Sequence, residues 1–306
     1  MKEGVRTDDT GQPHVYLGDE GGRPGKLISI VERGGVPAGR SGAGGIHHVA
    51  FGVADESALL KWKRRLSDAG VQVTGPYDRG YFTSIYFADP DGQILEIATE
   101  GPGYEIDEPR DLLGSRLVLP PRRIVRGHRD ESAIASLTHP DPVPEIGPDM
   151  TLGGIHHVSG ITTELARMGD FLEEALGLSL VKRTTNRDAP DTLHYFWARY
   201  DDEEGVASRS AYTLFGWQPG GNEARPGTGQ ADDIAFRARD QEELGAFGAR
   251  LESMGVATSG IIDSVYFQSV KFRAPDGQLL AIATDGPGFA TDEKSGTTGS
   301  HASAVR

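Results

Sequence analysis

Apolar and polar residues alternate along this chain in two rhythms. In IHHVAFGV (46–53) the alternation has the period of two that a half-buried strand shows. The next stretch, SALLKWKRRLSDAG (57–70), spaces its apolar positions three and four apart and stops at a glycine, which predicts an amphipathic helix. Three further strand-like runs follow: VQVTGP, YFTSIYFA and QILEIAT. The turn PDGQ separates the last two and carries the Asp-Gly hairpin signal. The pattern over residues 45–104 therefore predicts a βαβββ module.

The same module recurs. Sliding the sequence by 185 positions lays His47–Gly103 onto Asp232–Gly288 without a gap, with 25 of 57 positions identical. A third unit opens at GGIHHVSGITT, echoing GGIHHVAFG, and continues through a helical segment (LARMGDFLEEALGL) and the strands LVKRTT, LHYFWARY and SAYTLFGW. Residues from Arg6 to about Glu32 resemble the later part of that unit but lack its opening strand and helix. The expected organisation is a remnant of a first module at 1–40 and a module at 45–104. A Pro-rich connection follows at 105–150, then modules at 153–218 and 229–290, and a Gly/Ser/Thr-rich tail at 291–306 expected to be disordered. The fold class is α+β, with tandem βαβββ modules pairing into two open half-barrel sheets and helices outside.

Composition narrows the function. A formal charge of −14 argues against nucleic acid or an anionic membrane as partner, since both need a positive face. There are no cysteines, which removes disulfides, thiolate metal sites and Cys nucleophiles. No run approaches the roughly 18 apolar residues of a membrane helix. The first residues, MKEGVRTDDTGQPH, have no apolar core, so no signal peptide is expected and a cytoplasmic location is the default.

Four of the nine histidines stand in two pairs, His47–His48 and His156–His157, each following GGI on the opening strand of a module. Alternation along a strand lets one member of each pair point into a given cavity. His47 shares its face with Val49, Phe51 and Val53, and His48 with Ala50 and Gly52, whose small side chains leave room. His157 shares its face with Ser159. The second member of each pair is thus the better ligand candidate. Glu96 interrupts an otherwise apolar strand, GQILEIAT, where a carboxylate is costly unless paired or metal-bound. His48, His157 and Glu96 together form a two-histidine, one-carboxylate set that favours Fe(II) and O2 chemistry, and Mn(II) also fits. In the repeated module the positions of His47, His48, Arg79, Tyr86 and Glu96 hold Asp232, Asp233, Ser264, Lys271 and Ala281. One copy keeps the scaffold and loses the polar set, which suits an active module beside a structural one. A lone His-His pair is more often incidental than a ligand; the repetition at equivalent positions changes that weighting. RSGAGG (40–45) precedes a strand instead of following one, so a turn is expected and not a phosphate loop. His14, His128, His139, His194 and His301 are read as structural or solvated.

With these motifs the sequence resembles the glyoxalase/bleomycin-resistance/extradiol-dioxygenase (vicinal-oxygen-chelate) superfamily, and within it the hydroquinone ring-cleaving dioxygenases. GIHHVSG with LGLSLVKRTTN, HHVAF with RGYFTSIY and LEIAT, and the trailing GPGYEIDE with LGSRLVLPP carry the resemblance over most of residues 14–290. It implies iron ligands at His157, His48 and Glu96, and pocket residues at His156, Ser159, His47, Arg79 and Tyr86. The module order differs from that family, in which the GIHH-LVK module comes first, so the arrangement looks circularly permuted. The implied reaction is Fe(II)-dependent cleavage of a hydroquinone or catechol-type ring by O2. The implied partners are a small aromatic substrate and O2, with a homo-oligomer as a further option. A metal-dependent glyoxalase-type lyase or isomerase, and a non-catalytic small-molecule binder, are the rival readings.

Overall fold

A computed structural model describes residues 2–5, 13–207, 209–289 and 291 of the chain. The expected tail from residue 292 with His301, and residues 6–12 of the first remnant, lie outside the described residues. The chain divides into two compact units, residues 1–38 with 232–306, and residues 39–231.

The first unit opens with β1 (Lys2–Val5), β2 (Pro13–Leu17) and β3 (Ile28–Val31), which form an antiparallel three-stranded sheet. The second unit begins with β4 (Gly45–Val53), α1 (Glu56–Asp68), β5 (Thr74–Asp78), β6 (Thr83–Ala88) and β7 (Ile94–Thr99). The short helix α2 (Glu131–Ser136) follows, then β8 (Ile155–Thr162), α3 (Leu165–Leu176), β9 (Ser179–Thr185) and β10 (Leu193–Ala198). A two-stranded ribbon, β11 (Tyr200–Asp201) with β12 (Gly205–Val206), leads to β13 (Ala211–Gly216). The first unit is completed by β14 (Ile234–Ala238), α4 (Gln241–Ser253), β15 (Thr258–Asp263), β16 (Phe267–Arg273) and β17 (Leu279–Pro287). The α+β class and the duplicated βαβββ pattern expected from the hydrophobic rhythm are what the fold displays.

Local chemistry sets the helix ends. Asp55 caps α1 by accepting from the Ala58 amide at 2.9 Å, and Gly177 closes α3 in the left-handed conformation at φ 66°. α1 buries Ala58 and Leu59 against Val53, Ile85 and Ile97; a fully buried leucine contributes roughly 1.5–3 kcal/mol. Among the described residues no helix is long and apolar enough to cross a membrane.

In the second unit eight strands form one curled sheet in the order β5-β6-β7-β4-β8-β13-β10-β9. The opening strands of the two modules, β4 and β8, lie antiparallel at its centre. Each is flanked on its other side by the last strand of its own module, in parallel, β7 beside β4 and β13 beside β8. Because both histidine pairs sit on opening strands, this topology makes them neighbours across 109 residues of chain. The segment after β7 is pinned to the far edge of the sheet. The fully buried Lys182 on β9 donates to Asp107 Oδ1 and Glu108 Oε2, each at 2.5 Å, and Val118 pairs with Arg183.

Candidate metal centre

Strand register aligns the candidate ligands. Ala50 on β4 faces Glu96 on β7 on one side and His157 on β8 on the other. Glu96 and His157 therefore share a row with a methyl group between them, and His48 stands two positions along the same face of β4. Tyr86 on β6 continues the row beyond Glu96. The small, fully buried Ala50 leaves the three longer side chains room to converge.

They do converge. His48 Nε2 lies 2.8 Å from Glu96 Oε2, His157 Nε2 lies 3.3 Å from the same oxygen, and the two Nε2 atoms are 3.2 Å apart. Donors roughly 2.1 Å from one ion, at right angles, stand about 3 Å from one another. Glu96 is wholly buried, and its Oε1 has no hydrogen-bonding partner. Burial would push the Glu96 carboxyl up, but the two adjacent imidazoles outweigh it and hold the group well below the usual carboxylate range. A buried carboxylate with an orphaned oxygen and two imidazole lone pairs is a donor set that fits a divalent ion. His48, Glu96 and His157 form the group of three side chains, among the described residues, whose donor atoms lie close enough together that they could hold a metal ion.

His47 and His156 depart from simple alternation. Each sits at a bulge in the β4–β8 pairing, where one strand carries an extra residue. The bulges swing both rings back against their neighbours: His47 Nδ1 is 2.7 Å from His48 Nδ1, and His156 Nδ1 is 2.8 Å from His157 Nδ1. The protonation that leaves both Nε2 lone pairs aimed at the centre has each ligand's Nδ1–H donating to its neighbour. Burial, then the adjacent histidine, pulls His47 and His156 down to about 3, so both are neutral near pH 7.

The remaining expected pocket residues surround the same point. The Tyr86 hydroxyl accepts from Arg79 Nε at 3.2 Å and from Ser84 at 3.1 Å, and its ring is 5.7 Å from that of His48. Burial pushes the phenol up. Arg79 donates to Asp188 at 2.7 Å, and Asp188 is shared with Arg129 at 2.8 Å. Ser159 hydrogen-bonds Thr213 at 2.6 Å, and Thr213 bonds His194 Nε2 at 2.9 Å.

A cavity of about 30 Å³ opens over His48 and His157, walled by Phe82, Phe196, Phe215 and His194 and by the guanidiniums of Arg79 and Arg187. Sequence reasoning missed Arg187, Asp188, Arg129 and Thr213. It also read His194 as structural or solvated, whereas this ring lies buried between Phe196 and Phe215 and faces the cavity. The alternation of LHYFW was the available signal, since it sets His194 on the same face as Phe196. His128 is exposed, and His14 is buried against Ser29 Oγ at 3.0 Å. In the first unit, Lys271 and Asp233 pair at 3.1 Å near buried Ala281, an internal ion pair where the other copy has a histidine and a tyrosine. The glycines of RSGAGG serve close packing: a side chain at Gly42 would meet the Asn222 carbonyl at 2.4 Å.

The family model described as Glyoxalase/Bleomycin resistance protein/Dioxygenase superfamily matches residues 2–97 and 154–282. The Bacillus subtilis (strain 168) protein named "Putative ring-cleaving dioxygenase MhqO" is 26% identical over 299 residues, covering 98% of this chain and 80% of that protein. The chlorohydroquinone/hydroquinone 1,2-dioxygenase of Sphingobium indicum is 25% identical over 295 residues, covering 94% and 77%. A shorter match, to "Putative ring-cleaving dioxygenase MhqA" of B. subtilis (strain 168), reaches 44% identity over 94 residues, or 31% of this chain and 30% of that protein. Among solved structures, a "putative dioxygenase" from B. subtilis subsp. subtilis str. 168 superposes with a TM-score of 0.73 at 26% identity, covering 98% of this chain and 81% of the other.

Proposed function

The chain belongs to the Glyoxalase/Bleomycin resistance protein/Dioxygenase superfamily, and from that premise we propose that it is an Fe(II)-dependent ring-cleaving dioxygenase acting on a hydroquinone or catechol-type aromatic with O2. The observation that carries the reading is the buried His48–Glu96–His157 cluster, its donor atoms 2.8–3.3 Å apart beneath a cavity walled by phenyl rings. Those three residues would hold the ion, and Mn(II) suits the same donors. Residues 45–104 and 153–218 are, in this reading, the two modules that bear it. Residues 105–150 connect them, and 229–290 form a module without a metal.

Held by His48, Glu96 and His157, Fe(II) would supply a redox-active centre for chemistry between an aromatic hydroxyl compound and O2. The chain's own groups do the rest. Phe82, Phe196 and Phe215 wall a cavity of about 30 Å³, and on parting to admit a flat ring they would stack on it and keep water from the reacting carbons. His47 and His156 would position the two ligand rings by accepting from their Nδ1–H groups, and Tyr86, which lines the cavity and which burial keeps protonated, would hydrogen-bond a substrate oxygen. The Arg79 guanidinium beside the Tyr86 hydroxyl stabilises a phenolate oxygen formed there.

The test is oxygen uptake by protein reconstituted anaerobically with Fe(II) or Mn(II), on a panel of hydroquinones and catechols. One O2 consumed per ring opened is the expected result. Isomerisation of a glutathione hemithioacetal without O2 consumption would move the protein to the lyase reading.

A further inference from the structure

The cations around the cavity are not equally paired. Arg79 and Arg129 share Asp188, and Lys182 has Asp107 and Glu108. Arg187 is 3% exposed and lines the same cavity as His48 and His157. Its Nη1 donates to two neutral acceptors, Thr184 Oγ1 at 3.3 Å and the Thr185 carbonyl at 3.0 Å. Its Nε is buried with no partner, and its charge stands over the Tyr81 ring at 5.1 Å. Among the described residues no carboxylate forms an ion pair with it. Burying a charge without a counter-charge is expensive, so such a group is explained by an anion that arrives with a ligand. Burial lowers the guanidinium's own pKa, and the neighbouring Tyr81 hydroxyl and the Asp107 carboxylate, which forms no ion pair with it, offset that only in part.

Resting on the dioxygenase reading above, we infer that Arg187 is a specificity-determining residue that binds an acidic substituent, so that the preferred substrate is a hydroquinone carrying a ring carboxylate. Arg79 is already neutralised by Asp188, so a substrate carboxylate has Arg187 as its free counter-charge. A guanidinium presents a planar fork that matches a carboxylate. With the ring against the aromatic walls and its hydroxyl toward His48 and His157, the acidic group would be left to fix the ring's orientation. A neutral hydroquinone would leave the Arg187 charge buried and unpaired.

The experiment compares 2,5-dihydroxybenzoate with methylhydroquinone on metal-loaded wild type, R187M and R187K. It reads kcat and KM separately and adds anaerobic binding of each compound followed by protein fluorescence. A hydrogen bond to a charged group corresponds to a fold-change of about 10 to 150. Wild type should therefore favour the acid. R187M should lose about that factor on the acid, mainly through KM and binding, and should bind methylhydroquinone at least as well as wild type does, so that the preference reverses. R187K should fall between them. Metal-free R187M should melt at or above the wild-type temperature, because an uncompensated charge has been removed. The inference is overturned if wild type binds the neutral compound more tightly than the acid. It is also overturned if R187M weakens both compounds alike, or if R187M is less stable than wild type. Oxygen uptake with neither compound would defeat the dioxygenase reading, and the anaerobic binding comparison would still decide the role of Arg187.

Discussion

Replacing Glu96 with alanine separates what the fold needs from what the metal needs. The side chain is wholly buried, and its Oε1 bonds to nothing. Its removal takes away a desolvated acid and leaves His48 and His157 Nε2, 3.2 Å apart, to hydrogen-bond each other. The unsatisfied Oε1 costs about 1–3 kcal/mol and the Oε2 contacts to His48 and His157 return a similar amount, so the metal-free variant should fold and lie within about 2 kcal/mol of metal-free wild type. The equivalent strand β17 already carries a buried alanine, Ala281, without loss of its pairing to β16. Metal should behave in the opposite way. At an ion concentration 100 times the dissociation constant, wild type should gain about 2.7 kcal/mol. At roughly 2–4 °C per kcal/mol for a unit of this size, that is a rise in Tm of about 5–10 °C. Glu96→Ala should show no such rise, because two neutral imidazoles would face a dication without an anionic ligand. Thermal melts of both proteins with and without Fe(II) or Mn(II), with metal analysis after gel filtration, measure this. A variant that keeps one ion per chain and the same Tm rise refutes the ligand assignment, and one that fails to fold makes Glu96 structural.

Ala50→Leu should abolish metal binding and cost about 1–3 kcal/mol, since the added carbons enter the fully packed row between Glu96 and His157; metal analysis and denaturation check the two effects. Lys182→Met strands the buried Glu108 and should cost about 3–5 kcal/mol in urea denaturation, while adding Glu108→Gln should recover a good part of it. Metal-free protein should lose stability as pH falls below 6.5. The unfolded chain protonates His47 and His156 there, whereas the folded rings titrate only at about 3, so unfolding takes up protons. The slope should reach about 1.4 kcal/mol per pH unit for each ring, and denaturation curves between pH 7 and 5 that show no decline would contradict it.

Much of the architecture was legible because it follows from periodicity. The repeated IHHVAFGV-helix-strand pattern announces a βαβββ module, and the appearance of GGIHH in two modules anticipates that their opening strands carry equivalent chemistry. Glu96 stood out as a charge in an apolar strand. What the sequence could not convey is register. Ala50 as the spacer between Glu96 and His157 depends on which residues of β4, β7 and β8 face one another, a property of the pairing and not of any one strand. Strand alternation also misplaces His47 and His156, because bulges have no signature in this composition and yet turn both rings toward their neighbours. Arg187 and Asp188 escape sequence reasoning for a different reason. They lie just past the end of β9, and their meaning comes from which charges are already paired around a cavity formed by distant strands.

The function proposed for His48, Glu96 and His157 is to hold an ion at which an aromatic ring is opened by O2. Its most direct test is mass spectrometry of the product formed by Fe(II)- or Mn(II)-loaded protein from a hydroquinone under 18O2. The account expects a ring-opened acid carrying both atoms of one O2 molecule, formed by wild type and not by the Glu96→Ala variant. An unlabelled product, an intact quinone, or equal labelling in the variant would contradict it.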